Sequence, residues 1–228
     1  MTQVAIDGPA SSGKSSVGTR VAAELGFGFL DTGLLYRAVT RAALDAGTHL
    51  DVLSSTEKLA SAQIEQVVQL AHLTDVDLES GGATISVDDR IFTSDELESE
   101  AVERAVAAVA ALPDVRAALR TIQREIAMRG GVVLAGRDIG TVVYPEARHK
   151  FFLDASAEAR ALRRALQRGY QVGSAEHHEA LRSLVARDQE DRTRTVAPLR
   201  AADDAQIILT DDLGLFDVVE MIVRQIHR

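Results

Sequence analysis

The sequence has no cysteine and no asparagine, and only 4% of its residues are aromatic. The absence of cysteine excludes a disulfide framework, a thiolate metal site and a cysteine nucleophile, and it is typical of a cytosolic protein. No apolar run reaches the roughly 18–20 residues of a membrane span. The first residues also lack the basic segment of a signal peptide. We therefore expect a cytoplasmic location.

The chain has a formal net charge of −9, which argues against general binding to nucleic acid or to an anionic membrane. Its cations are used unevenly: of the 25 basic residues only three are lysines, and several arginines cluster between positions 160 and 200. Such a cluster is either a solvated face or a local phosphate site. A length of 228 residues accommodates one core and a small inserted piece.

Short apolar segments alternate with helical patterns along the chain. The pattern predicts strands over 3–7, 27–30, 132–135, 150–153 and 206–209, and helices over 15–25, 34–46, 56–73, 95–112, 113–129, 157–168, 175–192 and 215–226. Five buried strands separated by helices predict an α/β fold with a doubly wound, five-stranded parallel sheet. Residues 75–92 alternate around Gly81 and Gly82, which indicates a hairpin, and residues 49–112 are typical of an insertion into that core.

The segment G-P-A-S-S-G-K-S, residues 8–15, follows the first strand and opens the first helix. This is the pattern and context of a phosphate-binding loop, whose backbone N–H groups converge on phosphates at the positive end of a helix. We expect Lys14 to bridge the β- and γ-phosphates and Ser15 to coordinate Mg²⁺. The alternative is a glycine-rich turn that only caps a helix. The predicted ATP-binding loop residues are Gly8, Pro9, Ala10, Ser11, Ser12, Gly13, Lys14, Ser15 and Ser16.

Two other classes of nucleotide-binding protein fit the sequence less well. GTP-dependent switch proteins typically read guanine with an N-K-x-D motif, and this chain has no asparagine. A Rossmann dehydrogenase needs the spacing G-x-G-x-x-G, which the loop lacks. A triphosphate, with ATP as the favoured one, and phosphoryl transfer are therefore the expected chemistry.

Two arginines follow predicted strands, Arg37 shortly after the second and Arg137 directly after the third. Open α/β sheets bind ligands beyond the carboxyl ends of their strands, so both arginines are expected near the phosphate-binding loop. Either one alone is as readily explained by a structural ion pair. Two beside such a loop favour a second phosphate site.

The later helices carry arginines at helical spacing. Salt bridges on a solvated helix surface are the simple explanation, but Glu158 is the only acidic residue at matching positions on the first face. Unneutralised arginines repel one another, so we expect a lid whose arginines, Arg160 and Arg164 above all, cover the transferring phosphoryl group. The two faces comprise Arg160, Arg163, Arg164 and Arg168, and then Arg187, Asp191 and Arg194.

Five motifs of the sequence resemble those of a known protein family. The segments A-I-D-G-P-A-S-S-G-K-S-S, L-D-T-G-L-L-Y-R, A-G-R-D-I-G-T-V-V-Y-P, K-F-F-L-D-A and R-D-x-x-D-R-x-R-x-x-A-P-L, in this order, are similar to the motifs of bacterial-type cytidylate kinases. The resemblance runs over about residues 3–212. It implies Mg²⁺-assisted transfer from ATP to CMP or dCMP in pyrimidine metabolism by a monomer. It also implies a core (1–48, 113–155 and 195–228), a nucleoside-monophosphate-binding insertion (49–112) and a short helical lid (156–194).

The resemblance also implies roles for individual residues. Arg37 and Arg137 fit the phosphate of CMP, and Asp191 can accept from the exocyclic amine of cytosine. Tyr36 either packs on the base or faces the core, and Asp138 either holds a metal-bound water or pins an arginine. Lys14, Arg137, Asp138 and Arg164 are the expected catalytic residues, and Arg160 is expected to contact ATP. The expected CMP-binding residues are Thr32, Tyr36, Arg37, Arg116, Arg137, Asp138, Arg187, Asp191 and Arg194.

Two positions depart from the family pattern. Ala135 stands where an acidic residue is expected before G-R-D, and Ala107 stands where a serine is expected to reach the base. They put ribose and base contacts in doubt, and with them the ranking of CMP, dCMP and UMP. Two rivals stay open at this point: another small P-loop kinase acting on UMP, AMP or a small metabolite, and a regulatory module that holds ATP without transferring phosphate.

Overall fold

The structure, a computed structural model, describes residues 2–50, 60–79 and 82–227. Its strands are β1 (Gln3–Asp7), β2 (Gly28–Asp31), β3 (Thr74–Glu79), β4 (Gly82–Val87), β5 (Arg90–Ile91), β6 (Val132–Gly136), β7 (His149–Asp154) and β8 (Gln206–Leu209). Its α-helices are α1 (Lys14–Leu25), α2 (Gly33–Asp45), α3 (Ser61–His72), α4 (Ser94–Leu97), α5 (Glu100–Ala111), α6 (Pro113–Arg129), α7 (Ala157–Gln167), α8 (Ala175–Thr193) and α9 (Leu215–Ile226).

Five strands form one parallel sheet in the order β2-β6-β1-β7-β8. From the central strand β1 the chain passes to the edge strand β2, returns to β6 between them, and then continues through β7 to β8 on the other side. Because the strands are parallel, the carboxyl ends of β1, β2 and β6 meet at one edge. Strand β6 is a continuous apolar run, and β7 carries a shorter one over residues 151–153, because helices cover both faces of the sheet. The predicted α/β fold with a five-stranded parallel sheet is confirmed.

The two faces of the sheet bury separate cores. Helices α1 and α9 cover one face, where Val4, Ile6 and Ile222 meet. The other face is covered by α2 and α6, and its core extends without interruption into the predicted insertion, since Val67 and Val109 belong to the same cluster. The insertion therefore shares a core with the sheet, which ties α5 to the elements that carry the candidate site.

The insertion differs from its predicted secondary structure in two ways. The predicted hairpin gains a third short strand, β5, which pairs antiparallel with β4. The predicted single helix over 95–112 is two helices, because Ser99 adopts an extended backbone and begins α5. Thr93 caps α4 in a reciprocal bond with Glu96, and the hydroxyl of Ser99 donates back to the carbonyl of Glu96 at 2.8 Å, so these local polar contacts outweigh the helical periodicity. The predicted start of the third helix and the glycine turn lie partly outside the described residues.

Residues Ile139–Val143 form one turn of π-helix after β6, which the apolar pattern did not predict. The carbonyl of Asp138 accepts from the N–H groups of both Val142 and Val143. The turn widens the backbone at the carboxyl edge of the sheet, beside the phosphate-binding loop. No helix in the described ranges is both long and apolar enough to cross a membrane.

Candidate active site

The phosphate-binding loop connects β1 to α1, as predicted. Gly8 has a φ of 150°, and a Cβ atom there would lie 2.1 Å from the carbonyl oxygen of Leu153, so this position requires glycine. Gly13 also has a left-handed backbone, with a φ of 96°, and it caps α1. The loop therefore turns tightly and presents the first turn of α1, including the exposed Ser16, to a ligand.

Lys14 is buried at the start of α1. Its ammonium donates to the carbonyl of Pro9 at 2.5 Å and to the hydroxyl of Ser12 at 3.3 Å. Burial holds the pKa of Lys14 well below its usual value, and the charge of Arg137 lowers it further. A phosphate between these two cations would reverse both effects, since it supplies the missing negative charge.

Ser15 is held by a carboxylate that the site prediction did not include. Its hydroxyl donates to Oδ2 of Asp31, and Oδ1 of Asp31 accepts from the N–H of Gly33 at 3.0 Å. Asp31 ends β2 and pairs in register with Ala135 on β6. Its position at the carboxyl end of a strand was the signal that could have identified it.

A cavity of about 690 Å³ opens in front of the loop. Lys14 and Ser15 line one side, and Arg37, Arg164 and Arg168 line it as well. The structure thus brings Arg37 of α2 and Arg164 of α7 to the same space as the loop, as the sequence predicted. Arg37 donates to the carbonyl of Leu97 at 3.0 Å, which fixes its guanidinium at the cavity.

Arg187 adds a further positive charge to this region. No hydrogen bond or ion pair of its guanidinium is found among residues 2–50, 60–79 and 82–227. Burial lowers its pKa to about 10, and the charges of Arg137, Arg37 and Arg164 contribute to the shift. A half-buried cation among other cations is unfavourable unless an anion joins them, so the arrangement favours an anionic ligand.

A chain of ion pairs connects α6 to the end of α8. Arg137 donates to Oδ2 of Asp191 at 3.1 Å, and Oδ1 of Asp191 lies 3.2 Å from Arg194. Arg194 also lies 3.9 Å from Asp138, which accepts from Arg116 at 2.6 Å. Asp138 therefore pins an arginine, one of its two predicted alternatives. Both oxygens of Asp191 already face arginines.

Tyr36 and Thr32 lie close to this series of ion pairs, Tyr36 beside Arg116 and Thr32 beside Ala135. The guanidinium of Arg116 is 5.4 Å from the centre of the Tyr36 ring, and the ring also packs against the core. Burial raises the pKa of the Tyr36 hydroxyl. Thr32 donates to the carbonyl of Ala135 at 2.9 Å. Both are therefore near the other predicted acceptor residues, and their contacts with a nucleotide stay predictions.

The arginine face of α7 has acidic partners, contrary to the prediction that only Glu158 could supply one. Arg160 donates to Asp188 at 2.5 Å, and both Arg164 and Arg168 pair with Glu103. These carboxylates come from α8 and α5, so helical spacing could not reveal them. Glu158 makes no ion pair with the described residues.

Arg160 is predicted to contact ATP, but its guanidinium donates hydrogen bonds to other groups of the protein. Besides Asp188, it donates to the carbonyls of Ala155 at 3.0 Å and of Ala10 at 3.2 Å. Arg160 therefore anchors α7 to the backbone of the phosphate-binding loop. Its direct contact with ATP stays a prediction, whereas Arg164 keeps donors that face the cavity.

A buried aspartate, Asp7, also escaped the sequence analysis. Its two oxygens accept from the N–H groups of Ile139 and Gly140, each at 2.8 Å. Burial is the main reason that its pKa is raised to about 6, and the charge of Asp138 adds to the shift. Asp7 ends β1 directly before Gly8, so it ties the start of the loop to the π-helical turn that follows Arg137.

The two departures from the family pattern lie in different settings. Ala135 is buried in the core beneath α1 and α9, and its carbonyl accepts from both the hydroxyl and the N–H of Thr32. Ala107 is exposed on α5. Ala135 supplies no carboxylate, and the one that accepts from Ser15 belongs to Asp31, its partner in register on the neighbouring strand β2.

Comparisons with known proteins show what the chain is similar to. A family model described as cytidylate kinase matches residues 4–228. The chain is 41% identical to the cytidylate kinase of Carboxydothermus hydrogenoformans, over 99% of this chain and 97% of that protein. It is 45% identical to the bifunctional pantoate ligase/cytidylate kinase of Synechococcus sp., over 97% of this chain and 40% of that protein. A solved structure of an uncharacterised protein from Eubacterium ventriosum is similar in fold alone, with a TM-score of 0.51, 10% identity and coverage of 99% and 98% of the two chains.

Proposed function

The chain belongs to the cytidylate kinase family, and we propose that it transfers the γ-phosphoryl group of ATP to CMP and dCMP, giving ADP and CDP or dCDP. The observation that carries the proposal is the cavity lined by Lys14 of the phosphate-binding loop and by Arg37 and Arg164. A donor phosphate and an acceptor phosphate both need cations, and this cavity supplies cations from separate elements.

On the donor side, the backbone of residues 8–15 would hold the β-phosphate at the start of α1. Lys14 would leave Pro9 and bridge the β- and γ-phosphates, because a phosphate oxygen accepts a stronger, charge-assisted bond than a carbonyl does. Arg160 would act by fixing α7 to Ala10, and Arg164 would reach the transferring group.

On the acceptor side, Arg37 and Arg137 would bind the CMP phosphate, with Arg187 as a third cation. Arg116, Asp138, Arg194 and the neighbouring Tyr36 and Thr32 would form the nucleoside end. Asp191 would hold Arg137 and Arg194 in place through its two oxygens. Its acceptance from the cytosine amine is a separate claim, which requires that one of these two arginines move aside.

We propose that Mg²⁺ accompanies ATP. Ser15 and Asp31 present hydroxyl and carboxylate oxygens, the ligands that Mg²⁺ prefers, beside the phosphate-binding loop. No cluster of three or more acidic or histidine side chains that could hold a metal is found in the described part of the chain. The residues therefore fit an ion that is held mainly by phosphates and water, with Ser15 as its protein ligand. When bound, it would neutralise charge on the β- and γ-phosphates.

The residues present suit transfer without a general base. A phosphate oxygen of CMP is largely ionised at neutral pH, so no proton needs to be removed before attack. Catalysis then rests on alignment of the two phosphates and on neutralisation of the equatorial oxygens. Arg37, Arg164 and Lys14 line one cavity, and they would supply that neutralisation.

The acceptor is tested by an ADP-release assay with CMP, dCMP, UMP, AMP, GMP and shikimate. We expect fastest turnover with CMP or dCMP. A faster rate with any other compound contradicts the proposed acceptor. Binding of ATP and CMP together without formation of CDP would instead show a regulatory module.

We also propose that the enzyme works as a cytoplasmic monomer. The lack of cysteine supports a cytoplasmic location. The negative net charge argues against nucleic-acid and membrane partners. Sedimentation velocity over a range of concentrations tests the monomer, and fractionation of the source cells tests the compartment.

A further inference from the structure

We propose that Glu103, on α5, is a positioning residue that holds Arg164 and Arg168 of α7 at the phosphate cavity. The proposal rests on the proposed function and assigns to it a residue outside the predicted site. Glu103 lies in the first turn of α5, within the predicted insertion, whereas both arginines lie in the predicted lid. One carboxylate thus connects two parts of the chain, with its two arginine partners 61 and 65 residues away in sequence.

Both carboxylate oxygens of Glu103 are engaged by arginines. Its Oε1 faces Nη2 of Arg164, and its Oε2 faces Nη2 of Arg168. Each guanidinium gives up one nitrogen, and no other partner for either is found among the described residues. Their remaining donors are left for a ligand, and both arginines line the cavity.

The charges explain why such a residue is needed. Arg164 and Arg168 lie one helical turn apart. Burial lowers the pKa of Arg164, and the charges of Arg168 and Arg37 lower it further. Without an anion between them, the two guanidiniums would move apart into solvent. Glu103 offsets this repulsion before any phosphate is bound, so the donors are already gathered when a nucleotide arrives.

The placement of α5 extends the argument to the acceptor. Helix α5 packs against α2, which carries Tyr36 and Arg37, and against α6, which carries Arg116. Glu103 is therefore attached to the acceptor side and holds the arginines of the donor-side lid. We infer that CMP, by fixing α5, also favours the binding of ATP beneath α7.

A second pair on the same helix provides a control. Glu100 pairs with Arg104 at 3.4 Å, but both side chains are largely exposed, at 78% and 66%, against 26% for Glu103. An exposed pair of this kind contributes little to stability and faces no cavity. Glu100→Gln thus removes the same charge from the same helix without touching α7.

The test measures kcat, the two KM values, and the affinity of a non-hydrolysable ATP analogue with and without CMP, for wild type, Glu103→Gln and Glu100→Gln. We expect Glu103→Gln to lower kcat by about tenfold, with smaller changes in both KM values. CMP should tighten analogue binding in wild type, by about fivefold or more, and should lose most of this effect in Glu103→Gln. Glu100→Gln should match wild type in each quantity.

Three results would overturn the inference: an unchanged kcat and analogue affinity in Glu103→Gln, a change only in KM, or a faster enzyme, which would mean that Glu103 withholds the arginines from phosphate. If Glu103→Gln does not fold, Glu103→Asp replaces it. This variant keeps the charge on a shorter side chain, so its kcat should lie below that of wild type, and an unchanged kcat would overturn the inference. Failure of the proposed function is a different result, because wild type itself would then make no CDP.

Discussion

The phosphate-binding loop takes its polar groups from eight consecutive residues, whereas the arginines at the cavity come from α2 and from α7 and its C-cap. In the loop, Gly8 and Gly13 fix the backbone, and Lys14 follows directly. Arg37 and Arg164 instead depend on Leu97 and Glu103, which are distant in sequence. The loop is therefore a local structure, whereas the arginines owe their position to tertiary contacts. Substitutions in the two regions should differ in their effects accordingly.

The largest loss is expected from Lys14→Met, which removes the cation of the loop and keeps the length of the side chain. Turnover should fall by at least about a hundredfold, because a preorganised donor to the transferring phosphate is lost. Steady-state kinetics measures the effect, and circular dichroism checks the fold. If turnover persists, the loop is not the catalytic half of the site.

Arg164→Ala tests the facing arginines. We expect kcat to fall by about tenfold or more and CMP binding to weaken less, since Arg164 is placed to stabilise charge that develops during transfer. Stopped-assay kinetics and calorimetric CMP titration give the two quantities. Arg182→Ala is the control, because Arg182 forms an exposed pair with Glu179 on α8. An unchanged kcat would mean that the arginine face of α7 only forms salt bridges.

Asp7→Asn tests the contact between the start of the phosphate-binding loop and the π-helical turn. A raised pKa of about 6, against 3.8 when unfolded, means that the native state binds a proton more tightly. Asp7 therefore costs no stability below about pH 3.8, and its cost grows as the pH rises to about 6 and is constant above that. The free energy of unfolding of wild type minus that of Asp7→Asn should be about 2 kcal/mol larger at pH 4.5 than at pH 7.5.

Urea unfolding at several pH values measures this difference. The subtraction removes the titration of the other carboxylates, which both proteins share. A difference that does not vary with pH would show that the carboxylate of Asp7 has an ordinary pKa in the folded protein.

The smallest effect is expected from Asp191→Asn. The preference for CMP over UMP should narrow by less than about tenfold, because a single hydrogen bond to the base is weakened and Arg137 and Arg194 lose part of their support. The ratio of kcat/KM for CMP and UMP is the measurement. Asp203→Asn, at an exposed position, serves as the control. An unaltered ratio would restrict Asp191 to holding the two arginines.

Much of the fold was predictable because its signals are local. Each strand of the parallel sheet is a short apolar run followed by a turn, and α9 begins and ends where its periodicity does. The break between α4 and α5 was missed, since the cap at Thr93 and the bond from the Ser99 hydroxyl to the Glu96 carbonyl compete with a continuous helical pattern. The π-helical turn depends on Asp7, 132 residues away from its partner Ile139, and has no local signal.

The candidate site divides in the same way. The phosphate-binding loop and the family were readable in the sequence, because motifs of consecutive residues carry them. The folded protein was needed to see that Asp31 holds Ser15, that Asp138 binds Arg116 and that Glu103 pairs with the arginines of α7. The physical reason is that ion pairs form between whichever charges the fold brings within a few ångströms, and their separation in sequence does not enter their energy.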